Sequence, residues 1–228
     1  MRFSLVIPTY NEEKRVLPVL QNFTSFLNKK SRHHEIIVVN DGTDGTARIV
    51  RNFLKKNKGV ILSNFKERLG KGGAIIEGFK KAKYPYVGYV DCDLSVKPEE
   101  FYELITALDI YSCVIGSRTI KALVKKPWYR NILSRLFNLY VNLLFRLGIK
   151  DTQCGAKVFR KKIIDDILPE MKTRGFEFDA ELLWRIKKEG YEIKEQPISF
   201  EHMPNSKFEI KKAPYMALRL LVLRLFDR

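Results

Sequence analysis

Along the first 120 residues, short runs of apolar and β-branched side chains alternate with stretches whose apolar positions follow helical spacing. That alternation signals a mostly parallel sheet wrapped by helices. FSLVIP (Phe3–Pro8), EIIVVN (Glu35–Asn40), VILSN (Val60–Asn64), YVGYVD (Tyr86–Asp91) and CVIGSR (Cys113–Arg118) read as strands. Glu12–Asn28, Asp44–Asn57, Lys71–Lys83 and Pro98–Leu108 read as helices between them. The expected fold class is α/β, a Rossmann-like layer in which ligands gather beyond the carboxyl ends of the strands.

The second half has a different texture. From Trp128 to Leu147 the apolar positions keep helical spacing while Arg130, Arg135 and Arg146 interrupt them. Lys211–Arg228 repeats the theme, with Met216, Leu220 and Leu223 beside Arg219 and Arg224. Such basic amphipathic helices either pack on a core with one solvated face or lie on a membrane surface. Two of them in one small protein favour the membrane surface.

Charge sharpens this picture. The 228 residues carry 42 Lys and Arg against 26 Asp and Glu, a net +16, which points to phosphate-bearing partners. Half of that excess falls between Tyr111 and Lys150, a stretch with eight basic and no acidic side chains. No nucleic-acid-binding motif accompanies it, so no nucleic acid partner is expected. The length suits one domain, given about 100 to 200 residues for each. No apolar run approaches the roughly 20 residues that span a bilayer, and no leader pattern opens the chain. Three cysteines without a CxxC pair fit neither a disulfide framework nor a zinc site. The expectation is a reduced, cytoplasmic protein.

The chemistry sits at the predicted strand tips. Asp91-Cys92-Asp93 follows the fourth strand with two hard-oxygen ligands suited to Mg²⁺ or Mn²⁺ and a diphosphate, or else with a helix cap and a solvated turn. Tyr10 after the first strand can stack on a base, and Asp41 after the second can accept a base N–H; a plain turn is the alternative at Asp41. Gly70-Lys71-Gly72-Gly73-Ala74 opens a helix with free amides and a lysine, a phosphate-friendly but unspecific arrangement. A dinucleotide GxGxxG and a Walker A loop are both absent.

Taken in order and spacing, VIPTYNE, VVNDGTDGT, GKGGA, DCDLS and GSR resemble the inverting family 2 glycosyltransferases with the GT-A fold over roughly residues 1 to 120. DTQCGAK (151–157) and FDAELL (178–183) resemble the branch acting on polyprenyl phosphates, the dolichyl-phosphate β-glucosyltransferases and mannose synthases. The resemblance implies a donor-binding part (1–118) and an acceptor-binding, membrane-surface part (119–228) within one domain. It implies that Pro8, Tyr10, Glu12, Asp41 and Asp91 hold the nucleotide, and that Asp91 and Asp93 hold Mg²⁺ or Mn²⁺. Ser95 falls where the mannose synthases place a further ligand. Arg118, Arg130 and Arg135 would meet the acceptor phosphate, and Gln153 would lie near the sugar; Asp93, Arg118 and Gln153 form the catalytic set.

Two departures stand out. The second-strand loop is one residue shorter than the family pattern, and Ala156 replaces the phenylalanine common after DTQCG. UDP-glucose is the favoured donor, with UDP-N-acetylglucosamine and GDP-mannose as alternatives. The expected partners are a nucleotide sugar, polyprenyl (dolichyl) phosphate and an anionic membrane, with the protein peripheral on the cytoplasmic face. A sugar-hydroxyl acceptor would need a general base, for which Asp151, Glu177, Asp179 and Glu181 are the candidates. A basic RNA- or membrane-binding module without catalysis is the non-enzyme alternative.

Overall fold

Central strands that are apolar on both faces require helices on both sides, and the fold supplies them. The computed structural model describes residues 1–31, 33–118, 128–199 and 212–227, with backbone alone for 128–131. Its strands are β1 (Phe3–Thr9), β2 (His34–Asn40), β3 (Val60–Asn64), β4 (Tyr86–Val90), β5 (Cys113–Ser117), β6 (Ala156–Arg160) and β7 (Ile193–Pro197). They form one sheet in the order β3-β2-β1-β4-β6-β5-β7. Every pairing is parallel except those of β6, which runs antiparallel to both β4 and β5.

The helices are α1 (Val16–Lys30), α2 (Thr46–Leu54), α3 (Gly70–Lys81), α4 (Pro98–Ala107), α5 (Trp128–Phe145), α6 (Lys161–Ile167), α7 (Phe178–Lys188) and α8 (Ala213–Phe226). Strand alternation divides the core in two. Phe3, Leu5 and Ile7 of β1 face the side covered by α1, α2 and α4, whereas Val6 faces the side covered by α3, α5, α6, α7 and α8. Gly78 lets α3 lie close on β1, since a side chain there would run into Val6.

The five predicted strands are present with ends shifted by a residue or so; the predicted helices are shorter overall, although α1 runs on to Lys30 and α3 begins at Gly70. α1 starts at Val16, not Glu12, because Asn11 adopts φ +52° and the Glu12 carbonyl then accepts both the Arg15 and Val16 N–H groups in a tight turn. α5 stops at Phe145, where Arg146 (φ +54°) and Gly148 (φ +68°) turn the chain. Lys211 and Arg228, the ends of the last predicted helix, lie outside the described residues. β6 and β7 have no counterpart in the sequence expectations. Lys157 interrupts the apolar run of β6, and β7 is a half-exposed edge strand, IKEQP.

Candidate active site

Because β1, β2, β4 and β5 are parallel, the polar residues that follow them converge on one edge of the sheet. The antiparallel β6 starts at this same edge. Val90 pairs with Ala156, and the Asp91 N–H donates to the Gly155 carbonyl at 3.0 Å. The DTQCG segment therefore lies directly beside the DCD triplet, and a side chain at Gly155 would run into the Asp91 carboxylate.

On the nucleoside side, Asp41 is buried at the tip of β2. Its Oδ2 accepts the backbone N–H groups of Leu69 (2.8 Å) and Gly70 (3.0 Å) and an N–H of the Arg68 guanidinium. Its Oδ1 is buried and accepts no hydrogen bond within the described protein. A lone carboxylate oxygen held this way suits a ligand N–H. The Arg68 guanidinium lies over the Tyr10 ring, 3.6 Å from its centroid, so the two predicted base contacts share one arginine. Asn11 ties the loops together, its Oδ1 accepting the Thr43 N–H at 2.9 Å. Pro8 is half-buried in β1, and Glu12 is paired with Arg15 at 2.6 and 2.8 Å.

Lysines organise the acidic pair. Lys71 Nζ, from the first turn of α3, lies 3.0 Å from Asp91 Oδ1 and 3.2 Å from Asp179 Oδ2. Lys157 Nζ, fully buried in β6, lies 2.6 Å from Asp179 Oδ1, which also accepts the Tyr89 hydroxyl. Burial pushes the Asp91 carboxyl up; Lys71 pulls it down, and the neighbouring Asp93 and Asp179 add to the rise. Burial would raise Asp179 too, but Lys157 and Lys71 hold it below the ordinary carboxylate range. Asp93 is half-buried and accepts the Ser95 N–H at 2.9 Å, while the Ser95 residue itself is buried. Between them Leu94 sits at φ +58°, a strained conformation for a branched side chain.

This donor set fits a divalent ion. Asp91 and Asp93 offer hard oxygens, and the ammonium already on Asp91 shows that the position attracts a cation. Among the described residues no group of three or more acidic, His or Cys side chains converges as a cage, so a donor diphosphate and water would complete the ligands.

Of the residues expected near the acceptor, Arg118 is anchored on Asp151. Its Nε and Nη2 donate to Oδ2 and Oδ1 at 2.7 Å each, and its backbone N–H adds a third bond at 3.0 Å. Burial favours the neutral carboxyl of Asp151, yet Arg118 outweighs it and lowers the pKa. Gln153 sits beside them with a buried Nε2 that has no partner in the described protein. Arg135 is exposed on α5, away from these contacts, and the Arg130 side chain lies outside the described residues. Glu181 is taken by Arg185 and by the Lys172 and Thr173 N–H groups. Glu177 Oε1 lies 3.5 Å from Arg219 of α8.

Arg15, Arg68 and Lys157 were not expected in these roles. Lys157 carries a usable signal, a lysine inside an otherwise apolar strand. Arg15 and Arg68 carry none, since their contacts arise from how loops meet.

Residues 4–168 match the family described as Glycosyl transferase family 2. The chain is 31% identical over 240 residues to a dolichyl-phosphate beta-glucosyltransferase of Trichomonas vaginalis, covering 99% of this chain and 71% of that one. It is 32% identical over 246 residues to the dolichyl-phosphate beta-glucosyltransferase of Saccharomyces cerevisiae, covering 97% and 74%. Mannosyl-3-phosphoglycerate synthase from Rubrobacter xylanophilus superposes with a TM-score of 0.78 at 17% identity, covering 100% of this chain and 74% of that one. Glucosyl-3-phosphoglycerate synthase from Mycobacterium tuberculosis, solved with Mn²⁺, UDP-glucose and phosphoglyceric acid, superposes at 0.73 and 16% identity, covering 99% and 79%. The structural likeness establishes the α/β GT-A arrangement. The family match runs from β1 through α6, and with it this chain belongs to glycosyl transferase family 2 and is a glycosyltransferase.

Proposed function

We propose that the protein transfers glucose, with inversion, from UDP-glucose to a polyprenyl (dolichyl) phosphate at the cytoplasmic face of a membrane. The observation that carries this reading is the outer face of the acceptor half. On α5, Leu136, Leu139 and Leu143 point outward, the last 72% exposed; on α8, Leu218, Val222 and Leu225 do the same. The two helices touch, with the Tyr140 hydroxyl donating to the Ala217 carbonyl at 2.8 Å, and exposed Arg135, Arg146 and Arg224 accompany them. An apolar stripe with cations at its margin suits an anionic leaflet, at roughly 1 kcal/mol for each well-placed cation. None of the described helices is long and apolar enough to cross a membrane. The names of the two relatives favour the same acceptor class.

The reaction asks little acid–base work of the chain. A lipid phosphate with a second pKa of about 6 is already ionised near neutral pH. Its oxygen attacks the anomeric carbon opposite the leaving diphosphate; the new C–O bond forms as the bond to the diphosphate breaks, and the electron pair departs with the nucleotide. A divalent ion on Asp91 and Asp93 would neutralise charge on that leaving group. Asp41 and Tyr10 orient the base, and Gln153 offers its Nε2 to a sugar hydroxyl. Arg118, fixed by Asp151, supplies positive charge toward the acceptor phosphate. A hydroxyl acceptor fits less well, since Asp151, Asp179 and Glu181 are each held by a cationic partner and Glu177 Oε1 lies 3.5 Å from Arg219.

The test is a donor screen on purified protein with polyprenyl phosphate in detergent. Label from UDP-glucose should pass into an acid-labile lipid in preference to UDP-N-acetylglucosamine and GDP-mannose. Label appearing only in water-soluble products would overturn the acceptor assignment.

A further inference from the structure

We infer that Lys71 is a resident counter-ion that occupies the cation position at Asp91 until a donor arrives, so that divalent metal binds together with the nucleotide and not ahead of it. The inference rests on the reading of Asp91 and Asp93 as metal ligands. Lys71 Nζ straddles the Asp91 carboxylate, 3.0 Å from Oδ1 and 3.4 Å from Oδ2. Its other arm, to Asp179 Oδ2 at 3.2 Å, does not depend on Asp91. Asp179 is itself fixed by Lys157 and Tyr89. The ammonium can therefore leave Asp91 without losing its anchor.

A divalent ion on Asp91, whose side chain is 34% exposed, would stand next to this ammonium, only 12% exposed, so solvent screens the two like charges only in part. Two carboxylates also leave most of a hard cation's ligands to be found elsewhere. Without nucleotide, Lys71 is the better-matched counter-ion. A diphosphate reverses the balance, because it brings oxygens for the metal and negative charge that satisfies both cations. Lys71 thus makes metal and nucleotide affinities interdependent, and linkage requires each to strengthen the other by the same factor. In this role it is a positioning residue.

Mn²⁺ titrations followed by the electron paramagnetic resonance of the free ion, with and without UDP, test this. In wild-type protein Mn²⁺ should bind weakly alone and much more tightly with UDP. Lys71→Met should tighten Mn²⁺ alone by about tenfold and shrink the effect of UDP correspondingly. Lys71→Arg, which keeps the charge, should behave as wild type. Should the methionine variant fail to fold, Lys71→Gln takes its place. If Lys71→Met leaves the affinity for Mn²⁺ alone unchanged or weakens it, or if UDP does nothing to wild type, Lys71 is not the counter-ion. Asp91→Asn separates the underlying reading: unchanged Mn²⁺ binding with UDP in that variant would remove the metal site itself from Asp91.

Discussion

Lys157 Nζ lies 2.6 Å from Asp179 Oδ1, and neither side chain is open to solvent. The pair joins β6 to the first turn of α7, and Lys157 also donates to the Cys154 carbonyl at 2.6 Å. One buried ion pair therefore fixes the DTQCG loop, the α7 terminus and, through Lys71, Asp91.

Removing Lys157 leaves the buried Asp179 carboxylate short of one of its two cationic partners, with Lys71 at 3.2 Å the one that remains. Lys157→Met should destabilise the fold by about 3–5 kcal/mol in urea unfolding. Lys157→Met combined with Asp179→Leu should recover part of that loss, because no lone charge remains. Equal losses in the single and double variants would contradict this.

The Arg118–Asp151 pair predicts a pH dependence. The Asp151 carboxyl lies below its ordinary range when folded, so its contribution is fully present above the unfolded pKa of about 3.9. It is lost as pH falls through the lower, folded value. Asp151→Asn should therefore be less stable than wild type at neutral pH, with the gap closing on acidification. Parallel stability curves across that range would show that the pair adds nothing.

Asn138 links α5 to the DTQCG loop. Its Nδ2 donates to the Ile149 and Lys150 carbonyls at 3.1 and 3.0 Å, and its Oδ1 accepts the Thr152 N–H and hydroxyl. Asn138→Ala should cost about 1–3 kcal/mol. It should also raise hydrogen exchange at Thr152 more than in β1; uniform exchange would refute the link.

Leu136→Asp, Leu139→Asp and Leu225→Asp together should abolish sedimentation with anionic vesicles. Each single change should alter stability by no more than about 0.5 kcal/mol, since these side chains face outward. Retained vesicle binding with intact folding would rule out this face as the attachment surface.

The first 118 residues were legible because their strands are continuous apolar runs ending in polar residues, as at Val38–Asp41 and Val87–Asp91. Beyond Arg118 less was legible: α5 and α8 were expected, β6 and β7 were not. α5 carries apolar side chains on two stripes, and spacing alone does not say that Val141 and Phe145 turn inward while Leu136 and Leu143 turn outward. Nor does spacing place β6 between β4 and β5, which is what brings Gln153 and Gly155 to the acidic pair. Asp151, Glu177, Asp179 and Glu181 looked alike as candidate bases; spacing does not show the cationic side chains that the fold sets beside each of them. The non-catalytic basic module falls with the family assignment.

The most direct measurement is transfer of labelled glucose from UDP-glucose to polyprenyl phosphate by wild-type protein and by Asp93→Ala, with Mn²⁺ and with chelator. Glycolipid should form only for wild type with metal, while Asp93→Ala keeps the wild-type circular dichroism and urea midpoint. Glycolipid formed at the wild-type rate by a folded Asp93→Ala protein, or in the presence of chelator, would contradict the assignment of the β4 acidic pair.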